Sequence, residues 1–600
     1  MENKEKLRNE VDDNYKWDLS VIYKSNNEWK KDYELAKKEI LKINNYKNSF
    51  LNSANDFYEF LKYDEKTDRL LNKLYMYSHL NYDSDTTNDV YKKMDNQIID
   101  LFNEYEQLSS FIVPNILKQD YSLFEKFFKD NDKLKEYKFF IDEIYRYKSH
   151  TLDTDKEEMI SILSRGLSGG SDIFSSLTDS DMKFDDITLE DGKKVNFNES
   201  NYTVFITSKN RDIRKQAFTL LLEGYSKYKN TFASCYSNYV DSNIALAKIY
   251  NYDSAISSSL FSDNVSEDIY NNLINTVNNN LDDLYKYYDL KKKVLKLDEF
   301  HLYDVYANLV DECDKSYSFE EAKKLVLESL SILGDEYNKV LNKAFDERWI
   351  DVYHNKGKTS GAYSSGFYDT NPYVLLNYEG KLNDVSTLAH ELGHSMHTYF
   401  SCKNNPYEYS SYKIFVAEVA STVNELLLSN YLLNNSNNKN EKLNVINHIL
   451  ELFKGTIFRQ TMFAEFEALM HKKREEKEIL TSTYLTENYY KLVKKYFGPN
   501  VVCDDLIKHE WSRIPHFYND FYVYKYATSL SCACFIVNNI LNKKEGALDN
   551  YLKFLSLGCS NYPVDELKQA GVDISDSSVI LSAINTFSEY LDKFNEVYES

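Results

Sequence analysis

His390-Glu391-Leu392-Gly393-His394 reads H-E-x-x-H, and it lies in a stretch, Asp384 to Cys402, that predicts a helix. On a helix, residues four apart sit one above the other on one face. His390 and His394 can therefore present two imidazole nitrogens to one metal ion. Glu391 sits beside that pair, placed to hold a water bound to the same ion. Two neutral imidazoles, a carboxylate base and an open coordination position are what zinc-assisted hydrolysis needs. Upstream, Tyr373 to Tyr378 reads as a buried strand followed by a turn at Glu379-Gly380, with Asn383 or Asp384 capping the incoming helix.

A third ligand must come from elsewhere. His397 lies on nearly the same face, but a metzincin would carry Gly at 397 and His at 400, where this chain has His397 and Phe400. The other solution is a Glu on a following helix. In Phe415-Val416-Ala417-Glu418-Val419-Ala420, Ala and Val surround Glu418. A carboxylate is seldom buried without a partner, and zinc would be that partner. His390, His394 and Glu418 are thus the expected ligands of one Zn2+ per chain. Glu425, two helical turns on, either accepts a hydrogen bond from a ligating imidazole or is a solvated helix carboxylate. His397 reads as structural, or as support for a ligand, ahead of being a ligand itself.

The motif H-E-L-G-H-S-M-H, followed by F-V-A-E-V-A-S-T-x-N-E at the separation that runs from His394 to Glu418, resembles oligoendopeptidase F. That is a cytosolic bacterial branch of the thimet oligopeptidase-like zinc metallopeptidases. In thermolysin-like enzymes the Glu would fall near Lys413 or Ile414, and in the related helical carboxypeptidases near Ala420. Of that window only Glu418 is a carboxylate. The resemblance covers most of the chain. It takes in Ser168-Gly169-Gly170, Phe184-Asp185, Arg211 to Phe218, Tyr228 to Ala233, Gly357 to Ser364 and Ile514 to Thr528. Ser529 departs from it, where a Gly is expected.

The resemblance implies a mainly helical, two-lobed metallopeptidase, with a small sheet beside the H-E-x-x-H helix and a deep substrate channel. It implies Glu-assisted attack of zinc-bound water on internal bonds of short, unstructured peptides. It also implies oxyanion stabilisers within His516 to Tyr526: Tyr526 first, supported by His516 and Tyr522. Spacing does not choose among Tyr522, Tyr524 and Tyr526. On a helix, 522 and 526 share a face and 524 points away, so Tyr524 reads as packing. Gly361-Ala362-Tyr363 reads as an edge strand that either pairs with an extended substrate or is simply exposed. A zinc carboxypeptidase and an inactive peptide-binding scaffold are the competing readings. The position of Glu418 opposes the first, and the intact His390, Glu391, His394 and Glu418 oppose the second.

Composition agrees. A net charge of −22 argues against nucleic acid or an anionic membrane as partner. No stretch approaches the roughly 20 apolar residues of a membrane span. Met1 to Lys6 is charged and has no apolar signal core. Seven scattered cysteines, Cys313 among them, read as reduced thiols. A cytoplasmic protein is the expectation.

From Met1 to Arg165 the chain holds no glycine and a single proline, Pro114, which favours long helices. Residues 1 to 200 read as a helical N-terminal domain, closing in a hairpin from Ile187 to Phe197 that turns at Asp191-Gly192. Residues 201 to 600 read as the catalytic domain. Within it Arg211 to Tyr228 and Glu320 to Ala344 read as helices, and the glycines clustered from Gly357 to Gly393 mark the sheet.

Overall fold

A computed structural model describes residues 6–310 and 315–600. Met1 to Glu5 and Cys313 lie outside the described residues. The fold is predominantly helical, with only small sheets. Two compact units are interleaved along the chain, and both draw on discontinuous segments.

The first unit comprises residues 1–149, 315–431 and 536–571. Its N-terminal part is built on two long helices packed along each other, α1 (Ala54–Ser84) and α2 (Asp89–Ser109). Ser53 caps α1 by accepting from Asp56 N, and Asn88 does the same for α2. Phe57, Phe60, Leu61, Leu71 and Leu74 fall at spacings that return to one helical face, and all are buried. Residues Glu320 to Ala344 do not form one helix. They divide into Phe319–Ser329 and Gly334–Asp346, joined by a tight 3-10 turn, because Gly334 takes a left-handed φ of +85°.

The sheet of this unit has three strands, β1 (Ile350–Asp351), β2 (Tyr363–Ser365) and β3 (Tyr373–Leu375). The order is β1-β3-β2, with β3 parallel to β1 and antiparallel to β2, so β2 is an edge. Tyr363 pairs with Leu375. Lys358, its side chain fully buried, donates to Asp351 Oδ1 at 2.7 Å and to Tyr353 O at 2.9 Å. Arg8 also pairs with Asp351. After β3 the chain turns at Gly380, φ +90°, into helix α3 (Leu382–Asn404). The cap differs from expectation. Lys381 is the N-cap, and Asp384 closes the turn from inside by accepting from Lys381 N at 2.9 Å and Glu379 N at 3.0 Å. Helix α4 (Ile414–Asn435) follows.

The second unit comprises residues 150–314, 432–535 and 572–600. The hairpin forms as read, pairing Ile187 with Val195 around Gly192 at φ +80°. Arg211–Lys227 is a helix. Asp304, fully buried, is held by Arg211 and Arg214. Helix α5 (Gln460–Glu475) packs Phe463 and Phe466 on Phe517, next to His516, and α6 (Tyr524–Leu541) begins in this unit a few residues later.

Candidate metal centre

Helices α3 and α4 cross at Gly393. A Cβ there would stand 2.5 Å from Ser421 Cα and 2.6 Å from Ala420 O. The missing side chain therefore lets two backbones approach closely. Register is fixed one turn along. Asn424 on α4 donates to Ala389 O on α3 at 3.0 Å and accepts from Tyr337 OH at 2.8 Å, all of it buried. Val385, Leu388, Ala389, Leu392, Met396 and Phe400 on α3 are buried as well.

This crossing brings Glu418 against the two histidines. His390 Nε2 and His394 Nε2 lie 3.2 Å apart. Glu418 Oε2 is 3.4 Å from the first and 3.5 Å from the second. Ser421 OH donates to the same carboxylate oxygen at 3.1 Å and orients it. Tetrahedral zinc, with bonds of about 2.0–2.1 Å, spaces its ligand atoms about 3.3–3.4 Å apart. Three lone-pair atoms 3.2–3.5 Å from one another repel unless they share a cation or proton. The donor set fits zinc in chemistry and in spacing.

The electrostatics have the same cause. Burial disfavours a charged His390, but Glu418 and Glu425 outweigh it and raise its pKa to about 10. Burial likewise opposes ionisation of Glu418, yet His390 and His394 hold its carboxyl well below the ordinary range. A metal ion would take over the place of that shared proton. Glu391 is nearly fully buried, and burial raises its pKa against the pull of the two histidines.

Glu425 accepts a short hydrogen bond from His390 Nδ1. That decides between its two sequence readings and leaves Nε2 to face the ligand position. His397 is outside the cluster: it is buried, stacked on Tyr412 at 3.8 Å, and burial lowers its pKa to about 3. Ser395, which carries no signal in the sequence, bonds Ser364 OH at 2.8 Å and so ties edge strand β2 to α3. Gly393 and Asn424 carry none either, although both lie inside the motifs quoted above. Spacing alone gives no sign of what crosses a helix.

His516, Tyr522 and Tyr526 belong to the second unit, where they form their own group. The Tyr526 ring lies 6.0 Å from the His516 ring and 5.3 Å from the Tyr522 ring. Burial lowers the His516 pKa, which favours a neutral imidazole. Tyr524 is fully buried against Tyr270, as its packing reading requires. Tyr522 precedes α6 rather than lying on it. Six described cysteines are free. Among the described residues no helix is long and apolar enough to cross a membrane.

Family models place this geometry. Peptidase family M3 matches residues 204–586, and an oligopeptidase F model matches residues 115–184. Oligopeptidase PepF of Bacillus subtilis is 42% identical over 98% of this chain and 88% of its own length. An oligoendopeptidase F homolog of Borreliella burgdorferi is 38% identical over 99% of this chain and 100% of its own. The crystal structure of oligoendopeptidase F from Enterococcus faecium superposes with a TM-score of 0.73 at 32% identity, covering 96% of this chain and 99% of that one. With the family model over more than half its length and such relatives matching nearly end to end, the chain belongs to peptidase family M3, in its oligoendopeptidase F branch, and is a metalloendopeptidase.

Proposed function

We propose that the chain hydrolyses internal bonds of short, unstructured peptides with one zinc ion held by His390, His394 and Glu418. The observation that carries this reading is the triangle of Nε2, Nε2 and Oε2 atoms with sides of 3.2, 3.4 and 3.5 Å. Zinc, when bound, supplies a Lewis acid that polarises a carbonyl and lowers the pKa of water to about 7.

The remaining work falls to side chains. Glu391 removes the proton of the attacking water and delivers it to the leaving amine. Its raised pKa suits both halves of that task. Glu425 holds His390 in the tautomer whose Nε2 is a free ligand. Tyr526, with His516 and Tyr522, donates to the oxygen on which negative charge develops. Edge strand β2 offers backbone groups to an extended substrate, giving main-chain recognition with broad side-chain tolerance. The relatives' names, oligopeptidase and oligoendopeptidase, support short peptides as substrates.

Glu391→Gln tests the assignment. The variant should bind zinc as the wild type does and lose about 10²–10⁴-fold in kcat. Near-normal turnover in that variant would remove Glu391 from the mechanism.

A further inference from the structure

The segment leading from His516 into α6 is tied to a buried carboxyl that the mechanism above leaves unused. Glu467, on α5, is fully buried. Its Oε1 accepts from Phe521 N at 2.9 Å, and its Oε2 has no hydrogen-bond partner among the described residues. No cationic side chain pairs with it there, and burial pushes its pKa well above the ordinary range, which favours the neutral acid.

Phe521 is a strained residue. Its φ of +50° is left-handed, a conformation that a bulky side chain keeps only where its surroundings impose it. The surroundings here are specific. The Phe521 ring is fully buried against His471 at 4.6 Å and Tyr270 at 5.9 Å. Asp520 N donates to Tyr239 OH at 2.9 Å, Ser259 OH donates to Asp520 O at 2.8 Å, and Asn243 donates to the Asp520 carboxyl at 3.0 Å. From this pivot a chain of turns continues. Tyr522 N donates to Asn519 O, Lys525 N to Tyr522 O, and Tyr526 N to Val523 O. The direction of the Phe521 peptide therefore sets where Tyr522 and Tyr526 begin.

We propose that Glu467 is a positioning residue: its carboxyl holds the left-handed Phe521 peptide and thereby fixes the orientation of Tyr522 and Tyr526. The inference rests on the proposed role of those tyrosines. Its hold on the loop is a separate matter and can be read separately. A neutral Glu that accepts one hydrogen bond is matched by Gln in shape and in acceptor. Met matches its volume but offers Phe521 N nothing.

The test uses the full chain with zinc. Glu467→Gln should keep kcat within about threefold of wild type. Glu467→Met should keep one zinc and a KM within about threefold, yet lose about tenfold or more in kcat, with faster hydrogen exchange at the Phe521 amide. Should the Met variant not fold, Glu467→Asp, which withdraws the acceptor by one methylene, gives the same two readouts. Wild-type kcat and wild-type Phe521 protection in the folded Met or Asp variant would overturn the proposal. So would a Gln variant as damaged as the Met variant. Tyr522→Phe and Tyr526→Phe run alongside. If both kept full turnover, the tyrosine roles would fall, and Phe521 exchange would still decide whether Glu467 holds the loop.

Discussion

Replacing Gly393 by Ala separates metal binding from folding. The new methyl would stand 2.5 Å from Ser421 Cα and 2.6 Å from Ala420 O. Both are backbone atoms of α4, so no side chain can swing aside. Ordinary contact begins near 3.4 Å, so α4 must retreat by about 0.9 Å at the crossing. Glu418 is one turn earlier on the same helix, with Oε2 at 3.4 and 3.5 Å from the imidazole nitrogens. The retreat would open those separations to above about 4 Å, beyond the spacing of tetrahedral zinc ligands. Stability feels two opposed effects. Ala favours a helix interior over Gly by about 1 kcal/mol, and overpacking costs about 1–3 kcal/mol. The net loss should be no more than about 2 kcal/mol. Zinc affinity should fall by about 10–100-fold, the range seen when support for a metal ligand is removed. Competition against a chromogenic chelator reads the affinity, and thermal unfolding of the metal-free protein reads the stability. A folded Gly393→Ala protein with wild-type zinc affinity would refute the claim that this crossing sets the ligand triangle.

Three further outcomes follow from the same contacts. Glu418→Ala should leave bound zinc well below one per chain after dialysis, read by metal analysis; stoichiometric zinc would put the third ligand elsewhere. Glu425→Ala frees His390 Nδ1, and zinc affinity should drop about 10–100-fold, measured by the same chelator competition. Lys358→Met removes one of the two cations on buried Asp351 and leaves Arg8 in place, so it should destabilise the protein by about 1–3 kcal/mol in denaturant unfolding. Burial opposes ionisation of Asp351, but Arg8 and Lys358 outweigh it and lower its pKa. Its contribution in the wild type is therefore full above about pH 4 and is lost as pH falls through the lower folded value.

The metal helix is legible because its signal is local. Two histidines four apart and a Glu between them need only helical geometry to acquire meaning, and Glu418 stands out as a carboxylate among Ala and Val. The long N-terminal helices are legible for a similar reason, since no glycine interrupts the chain from Met1 to Arg165. Glu320 to Ala344 reads as one helix because its apolar spacing runs through Gly334, whose left-handed φ separates two. Asp384 is recognisable as a capping residue, but it acts from the third helical position and not from the cap itself. The roles of Gly393, Asn424 and Ser395 depend on what crosses α3, and no spacing along one segment encodes that. Glu467 is the extreme case. It is one of 94 acidic residues, on a helix of ordinary pattern, and only the peptide folded over it distinguishes it.

The most direct test of the central claim is cleavage of an internally quenched, end-blocked short peptide, before and after 1,10-phenanthroline, with the products identified by mass spectrometry. The account predicts cuts at internal bonds, abolished by the chelator and restored by zinc. No cleavage of the blocked peptide, with single residues lost from the C-terminus of an unblocked counterpart, or internal cleavage untouched by chelation, would contradict it.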